Sequence, residues 1–152
     1  MNFLSATRTT LISIFFVFIS SELCNDSAYS HYTETDSFGN VGATLHIEPN
    51  DIAKAGKSSQ AWFALTKIGG QIIPLNQCDC KLEIYKEPRS KNLVSLFKPV
   101  LKPLSTEGYK NIPSADITFP KVGIYDLELT GTPQKGSIFK PFKFTFKVTV
   151  SN

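Results

Sequence analysis

Beyond residue 40 the chain alternates apolar and polar positions, the period of a strand that buries one face, because successive side chains of a strand point to opposite sides. Ala43, Leu45 and Ile47 are separated by Thr44 and His46, and Pro49 with Asn50-Asp51 ends the run. Ala61-Trp62-Phe63-Ala64-Leu65-Thr66 is almost continuously apolar, and Ile68-Gly69-Gly70 turns the chain back into Gln71-Ile72-Ile73-Pro74-Leu75, a predicted hairpin. Next, Cys78, Cys80, Leu82 and Ile84 share one face, with Asp79, Lys81, Glu83 and Tyr85 on the other. Asp116-Ile117-Thr118-Phe119 is followed by the turn Pro120-Lys121-Val122-Gly123, after which Tyr125, Leu127 and Leu129 alternate with Asp126, Glu128 and Thr130. The last strand is the cleanest: Phe142, Phe144, Phe146, Val148 and Val150 face one way, and Lys143, Thr145, Lys147 and Thr149 the other.

Two stretches lack this order. Residues 31–40 are polar with neither strand nor helix period, which predicts a mobile leader. Residues 86–113 are interrupted by Pro88, Pro99, Pro103 and Pro113, which predicts long loops with one short edge strand. No window from Gly42 onward keeps a helical apolar stripe for three turns. About seven short strands separated by Gly and Pro turns therefore predict an all-β fold, an immunoglobulin-like antiparallel sandwich of two sheets spanning residues 41–152. A single open sheet would leave the second face of Trp62 to Leu65 exposed. Three to five large side chains per strand, at roughly 1.5–3 kcal/mol each when buried, offset the ordering of such a domain without disulfides.

The N-terminus changes the picture from fold to address. Arg8 precedes the apolar run 11–19, which gives way to small and polar residues, the shape of a secretory signal. The run falls short of the roughly 20 apolar residues that span a bilayer. Residues 1–30 are thus expected to be a signal segment, cut after Ser21 or after Ser30, with retention as a membrane anchor the minority alternative. Cys24 survives only the earlier cut, and Ser21-Glu22-Leu23-Cys24 lacks the small residues that precede a lipid-modified cysteine. A periplasmic or extracellular location follows.

The 152 residues leave room for one core. Hydrophobic residues at 41% and charged residues at 19% are those of an ordered globular chain. Removing residues 1–30 takes away Arg8, Glu22 and Asp26 and leaves 15 basic against 11 acidic groups, a net +4, too small an excess to argue for nucleic acid. Ala55-Gly56-Lys57, Trp62-Phe63-Ala64-Leu65-Thr66, Gly69-Gly70-Gln71 and Phe119-Pro120-Lys121-Val122-Gly123-Ile124-Tyr125-Asp126-Leu127 resemble exported bacterial Ig-like domains of the YtkA-like and FixH-like type. The likeness covers roughly residues 41–150 and is made of turn and core chemistry. It implies the sandwich, the extracytoplasmic compartment and accessory or assembly roles, sometimes linked to metal handling, and it carries no functional residues across.

Candidate chemistry is sparse. In Cys78-Asp79-Cys80 two thiols on one strand face could chelate a soft metal such as copper or zinc, close a small disulfide, or simply fill the core. In an extended strand their Cα atoms would stand about 6.5–7 Å apart, so a disulfide needs a bend just after Gln77. His46 is the obvious third ligand, although the alternation points it outward as a surface histidine. A cut after Ser30 would make His31 the mature N-terminus, where amino group and imidazole could hold copper with His46. Neither histidine lies near a serine in a nucleophile arrangement. Gly56-Lys57-Ser58 has Asp51 where a phosphate-binding loop needs glycine. Asp126 and Glu128 read as a solvated polar face rather than a carboxylate pair. The expectation is a non-catalytic exported module that binds or scaffolds an extracytoplasmic or membrane protein, with no small-molecule substrate indicated. The alternative is a periplasmic metal- or redox-handling protein using Cys78 and Cys80.

Overall fold

Pro113 shows how the sequence accommodates its many prolines within a sheet. The computed structural model describes residues 32–35, 40–89 and 94–152, so the expected signal segment 1–30 and His31 lie outside the described residues. Nine strands are present among them: β1 (Tyr32–Thr35), β2 (Val41–Glu48), β3 (Ala53–Lys54), β4 (Ser58–Lys67), β5 (Cys78–Lys86), β6 (Lys102–Thr106), β7 (Tyr109–Thr118), β8 (Gly123–Pro133) and β9 (Phe142–Ser151). They form two sheets, β1-β2-β4-β7-β6 and β3-β9-β8-β5, antiparallel except for the two-residue β3–β9 pairing. Pro113 faces Pro103 across β6 and β7, while the β4–β7 ladder ends at Ser114. Neither proline therefore has to donate to a ladder on its other side.

The sandwich core follows the alternation. Leu45, Ile47, Phe63, Leu65 and Ile117 from the five-stranded sheet meet Leu82, Ile84, Leu127, Leu129, Phe144 and Phe146 from the four-stranded one. Phe63 and Phe146 touch across the interface with ring centroids 5.8 Å apart. At the turn before β8, the Tyr125 hydroxyl donates to the Lys121 carbonyl at 2.7 Å while its ring packs on Phe119. A buried tyrosine tied to backbone a few residues upstream is a recurrent corner of Ig-like sandwiches.

Three stretches add detail to the alternation. Within the stretch 31–40, Tyr32–Thr35 forms an edge strand on β2, pairing the open row of backbone donors and acceptors there. The predicted hairpin is present but short, its returning arm bonded to β4 as far as Ile73, whose N–H donates to the Leu65 carbonyl. Lys67 N–H bonds the Gln71 carbonyl and Thr66 bridges Ile72, but Pro74 stops the returning arm and the 3-10 turn Leu75–Gln77 carries the chain to the other sheet. In the 86–113 stretch, β7 begins at Tyr109, so only the part before β6 is a long connection, and it lies against β5 through bonds from Ile84 N–H to Phe97 and from Leu96 N–H to Ile84. Among the described residues no helix is long and apolar enough to cross a membrane.

Candidate functional site

The 3-10 turn Leu75–Gln77 delivers the chain into β5, and the Cys78 N–H closes it by donating to the Leu75 carbonyl. Cys78 and Cys80 are joined by a disulfide, with Cα atoms 5.1 Å apart, closer than two residues of a fully extended strand. Room for it comes from β8. Gly131 stands opposite Cys80, and a Cβ there would lie 2.7 Å from the Cys78 sulfur and against the Phe142 ring. Cys78 is buried in the core, whereas Cys80 is only partly buried. Both line an open groove of about 500 Å³ between β5 and residues 98–101, where Lys81 and Lys98 are matched by Asp79 and Glu83. Gln134 Nε2 donates to the Cys78 carbonyl at 3.1 Å across the same end.

A bond closing so short a loop does little for the fold. The chain-entropy relation gives about 1.6 kcal/mol for three residues against about 3 kcal/mol for 15. β5 is moreover already fixed by its ladder to β8 along the whole strand.

His46 does not join this site. It belongs to the five-stranded sheet, the cysteines to the four-stranded one, and its ring stacks on Trp62 with centroids 3.9 Å apart and planes 7° from parallel. The alternation placed it correctly on the face opposite Leu45 and Ile47. That face is not open there, however, and His46 is only 9% exposed. Trp62, Ala64 and Ile112, with Ile72, Leu104 and Tyr109 around them, form a second apolar cluster that covers it. Asp51 holds the edge of the stack, its carboxylate 3.7 Å from His46 Nδ1 and accepting the Ile47 N–H at 2.8 Å. The proposed ligand set of Cys78, Cys80 and His46 is thus divided between two sheets. Among the described residues no three His, Cys, Asp or Glu side chains stand together as a metal site.

The outer face of the four-stranded sheet carries the strongest electrostatics. Asp126 and Glu128 are 5% and 8% exposed, not a solvated face. Arg89, reaching in from the connection after β5, bonds Asp126 at 2.9 Å and Glu128 at 3.3 Å and lies over the Tyr85 ring at 4.2 Å. Lys147 and Lys143 of β9 each approach one of these carboxylates at 2.9 Å. Glu83 faces Glu128 directly across the ladder, a like-charge pairing that needs cations. It has Lys98 at 2.6 Å and the Tyr85 hydroxyl donating at 2.5 Å. Burial raises the Asp126 pKa, but the hydrogen bonds from Lys147 and Arg89 help to outweigh it, and the net shift is downward. The hydrogen bond from Lys98, then that from Tyr85, lowers Glu83. Donating to Glu83, together with burial, pushes Tyr85 up to about 12. Carboxylates held ionised in this way are poor proton donors at neutral pH. The sequence shows half of it, since Lys147 pairs with Asp126 in the β8–β9 register, but nothing in it aims Arg89 at this face.

No protein-family model matches the chain, and no curated protein matches it in sequence. Solved structures resemble it, among them the following two. A DUF4426 family protein from Pseudomonas aeruginosa is 10% identical with a TM-score of 0.51, covering 78% of this chain and 94% of that one. FetP of a uropathogenic E. coli strain, as isolated after recombinant expression in the periplasm of E. coli, is 12% identical with a TM-score of 0.52, covering 81% and 97%. At these identities the likeness shows the fold alone. Its common ground with the YtkA-like and FixH-like resemblance is a β domain of this general type, not membership of that family.

Proposed function

We propose that this chain is an exported, non-catalytic Ig-like module that binds or scaffolds an extracytoplasmic or membrane protein through the connection between β5 and β6. The observation that carries the reading is the exposure of Val94 and Val100, at 75% and 79%, on a segment pinned to the sheet by Ile84, Leu96 and Phe97. Apolar side chains held outward on an anchored loop are what an interface core needs, and loops at a rigid scaffold commonly carry binding. Export is supported by Arg8 ahead of the apolar run 11–19 and by a disulfide, which persists in oxidising compartments.

The test is a photo-crosslinking residue at Val94 or Val100 of the full chain in exporting cells, with Thr132, exposed on β8, as control. A discrete adduct at the two valines and none at Thr132 is expected. Replacing both valines by serine should weaken capture about tenfold, the loss of roughly 1.4 kcal/mol. Equal labelling at all three positions would remove the connection as the binding surface. The intact mass of the exported protein reports the cut after Ser21 or Ser30. A second reading, redox handling by Cys78 and Cys80, is favoured by the bond between them, whereas copper or zinc handling has no ligand set in the geometry above.

A further inference from the structure

We infer that the disulfide between Cys78 and Cys80 is a site of thiol–disulfide exchange that oxidises a protein dithiol presented in the groove between β5 and residues 98–101. This rests on the redox reading of the two cysteines and is independent of the binding role of Val94 and Val100.

Two observations carry it. The bond spans two residues of one strand already held by β8, so it is weakly motivated as a structural cross-link. The two sulfurs are inequivalent: Cys78 is packed among core residues, while Cys80 is partly open to the groove, the arrangement in which one sulfur is attacked and the other resolves.

The step balances without a further reagent. A partner thiolate attacks Cys80 Sγ, a sulfur–sulfur bond forms, and the bond to Cys78 breaks with its electron pair leaving on Cys78 Sγ, which takes a proton. The partner's second thiolate then attacks its own sulfur in the mixed disulfide and displaces Cys80 as a thiolate, which is protonated in turn. The partner dithiol has lost two electrons and two protons and become a disulfide; Cys78 and Cys80 have gained them and become thiols.

The experiment uses the full exported chain in a Cys24→Ser background, purified without reductant, mixed with a synthetic peptide bearing two cysteines, quenched in acid and weighed intact. The protein should gain two hydrogen masses and the peptide lose two, in the absence of denaturant. In the reduced protein Cys80 should alkylate at least about tenfold faster than Cys78, a readout that needs no further variant. Cys78→Ser offered an oxidised peptide should hold it on Cys80, and Cys80→Ser should not hold it on Cys78. An exported protein that already carries two free thiols would overturn the redox reading itself. A bond present but inert to the peptide until denaturant is added would overturn the exchange and leave a sealed cross-link, and equal alkylation of the two cysteines would overturn the assigned polarity.

Discussion

Gly131 is the residue on which the cysteine site depends. Its neighbours leave no room for a methyl group: Phe142 fills one side and the Cys78 sulfur the other. Gly131→Ala should force a shift of the ring or of the disulfide and destabilise the domain by about 1–3 kcal/mol, seen as a fall of several degrees in the thermal midpoint. An unchanged midpoint would mean that Phe142 yields freely and that close approach is not what requires glycine here. This requirement could not be read in the sequence. The alternation of β8 is legible only as far as Thr130, and beyond it Gly131-Thr132-Pro133 has the composition of a turn although the strand continues through all three. The pairing of Cys78 with Cys80 was legible as one of three possibilities, because spacing alone does not say whether the strand bends. The close approach arises within Cys78-Asp79-Cys80 itself, just after the 3-10 turn Leu75–Gln77, which has no distinct signature in Pro74-Leu75-Asn76-Gln77 beyond the proline.

At the scale of the element, β4 is the strand whose sequence says most and least. Its near-continuous apolar run correctly predicts burial on both faces, and with it a fold of two layers. The layers, however, cover only one face. Phe63 and Leu65 enter the core between the sheets, while Trp62 and Ala64 face outward under His46, Tyr109 and Ile112. A one-dimensional pattern shows that a face is covered, not by what, because the covering residues come from β2, β6, β7 and the turn after β4. His46 was legible as pointing away from the core and illegible as buried for the same reason. Trp62→Ala should therefore cost about 3–5 kcal/mol in urea denaturation, as for a core aromatic. His46→Ala should cost less, about 0.5–1.5 kcal/mol, the value of an aromatic stack beyond its buried area. If Trp62→Ala costs less than about 1 kcal/mol, the outer cluster is not a second core but a surface patch.

Across the whole molecule, the charged face does for the four-stranded sheet what the Trp62 cluster does for the other: it closes the outer side. It also ties the connection after β5 to β8 through Arg89, so that part of the proposed binding segment is anchored by carboxylates. This links stability to acid. Asp126 and Glu83 both have pKa values below their ordinary 3.8 and 4.5, so the folded state binds protons less readily than the unfolded chain. Groups depressed in this way contribute stability that is present in full above the unfolded values, and it is lost as the pH falls through the folded ones. The urea midpoint should accordingly be flat from neutral pH to about 5 and then fall as the pH drops below about 4. Asp126→Asn should lower the midpoint at pH 7 by the equivalent of about 1–3 kcal/mol, the worth of hydrogen bonds to a charged group. It should also show a shallower acid limb, because the variant no longer has that proton to take up. Equal acid slopes in the two proteins would assign the acid sensitivity to carboxylates elsewhere. Salt separates the face further. The side chains of Lys143 and Lys147 are 61% exposed, so their share should be screened at high ionic strength, while that of Arg89, 23% exposed and stacked on Tyr85, should persist.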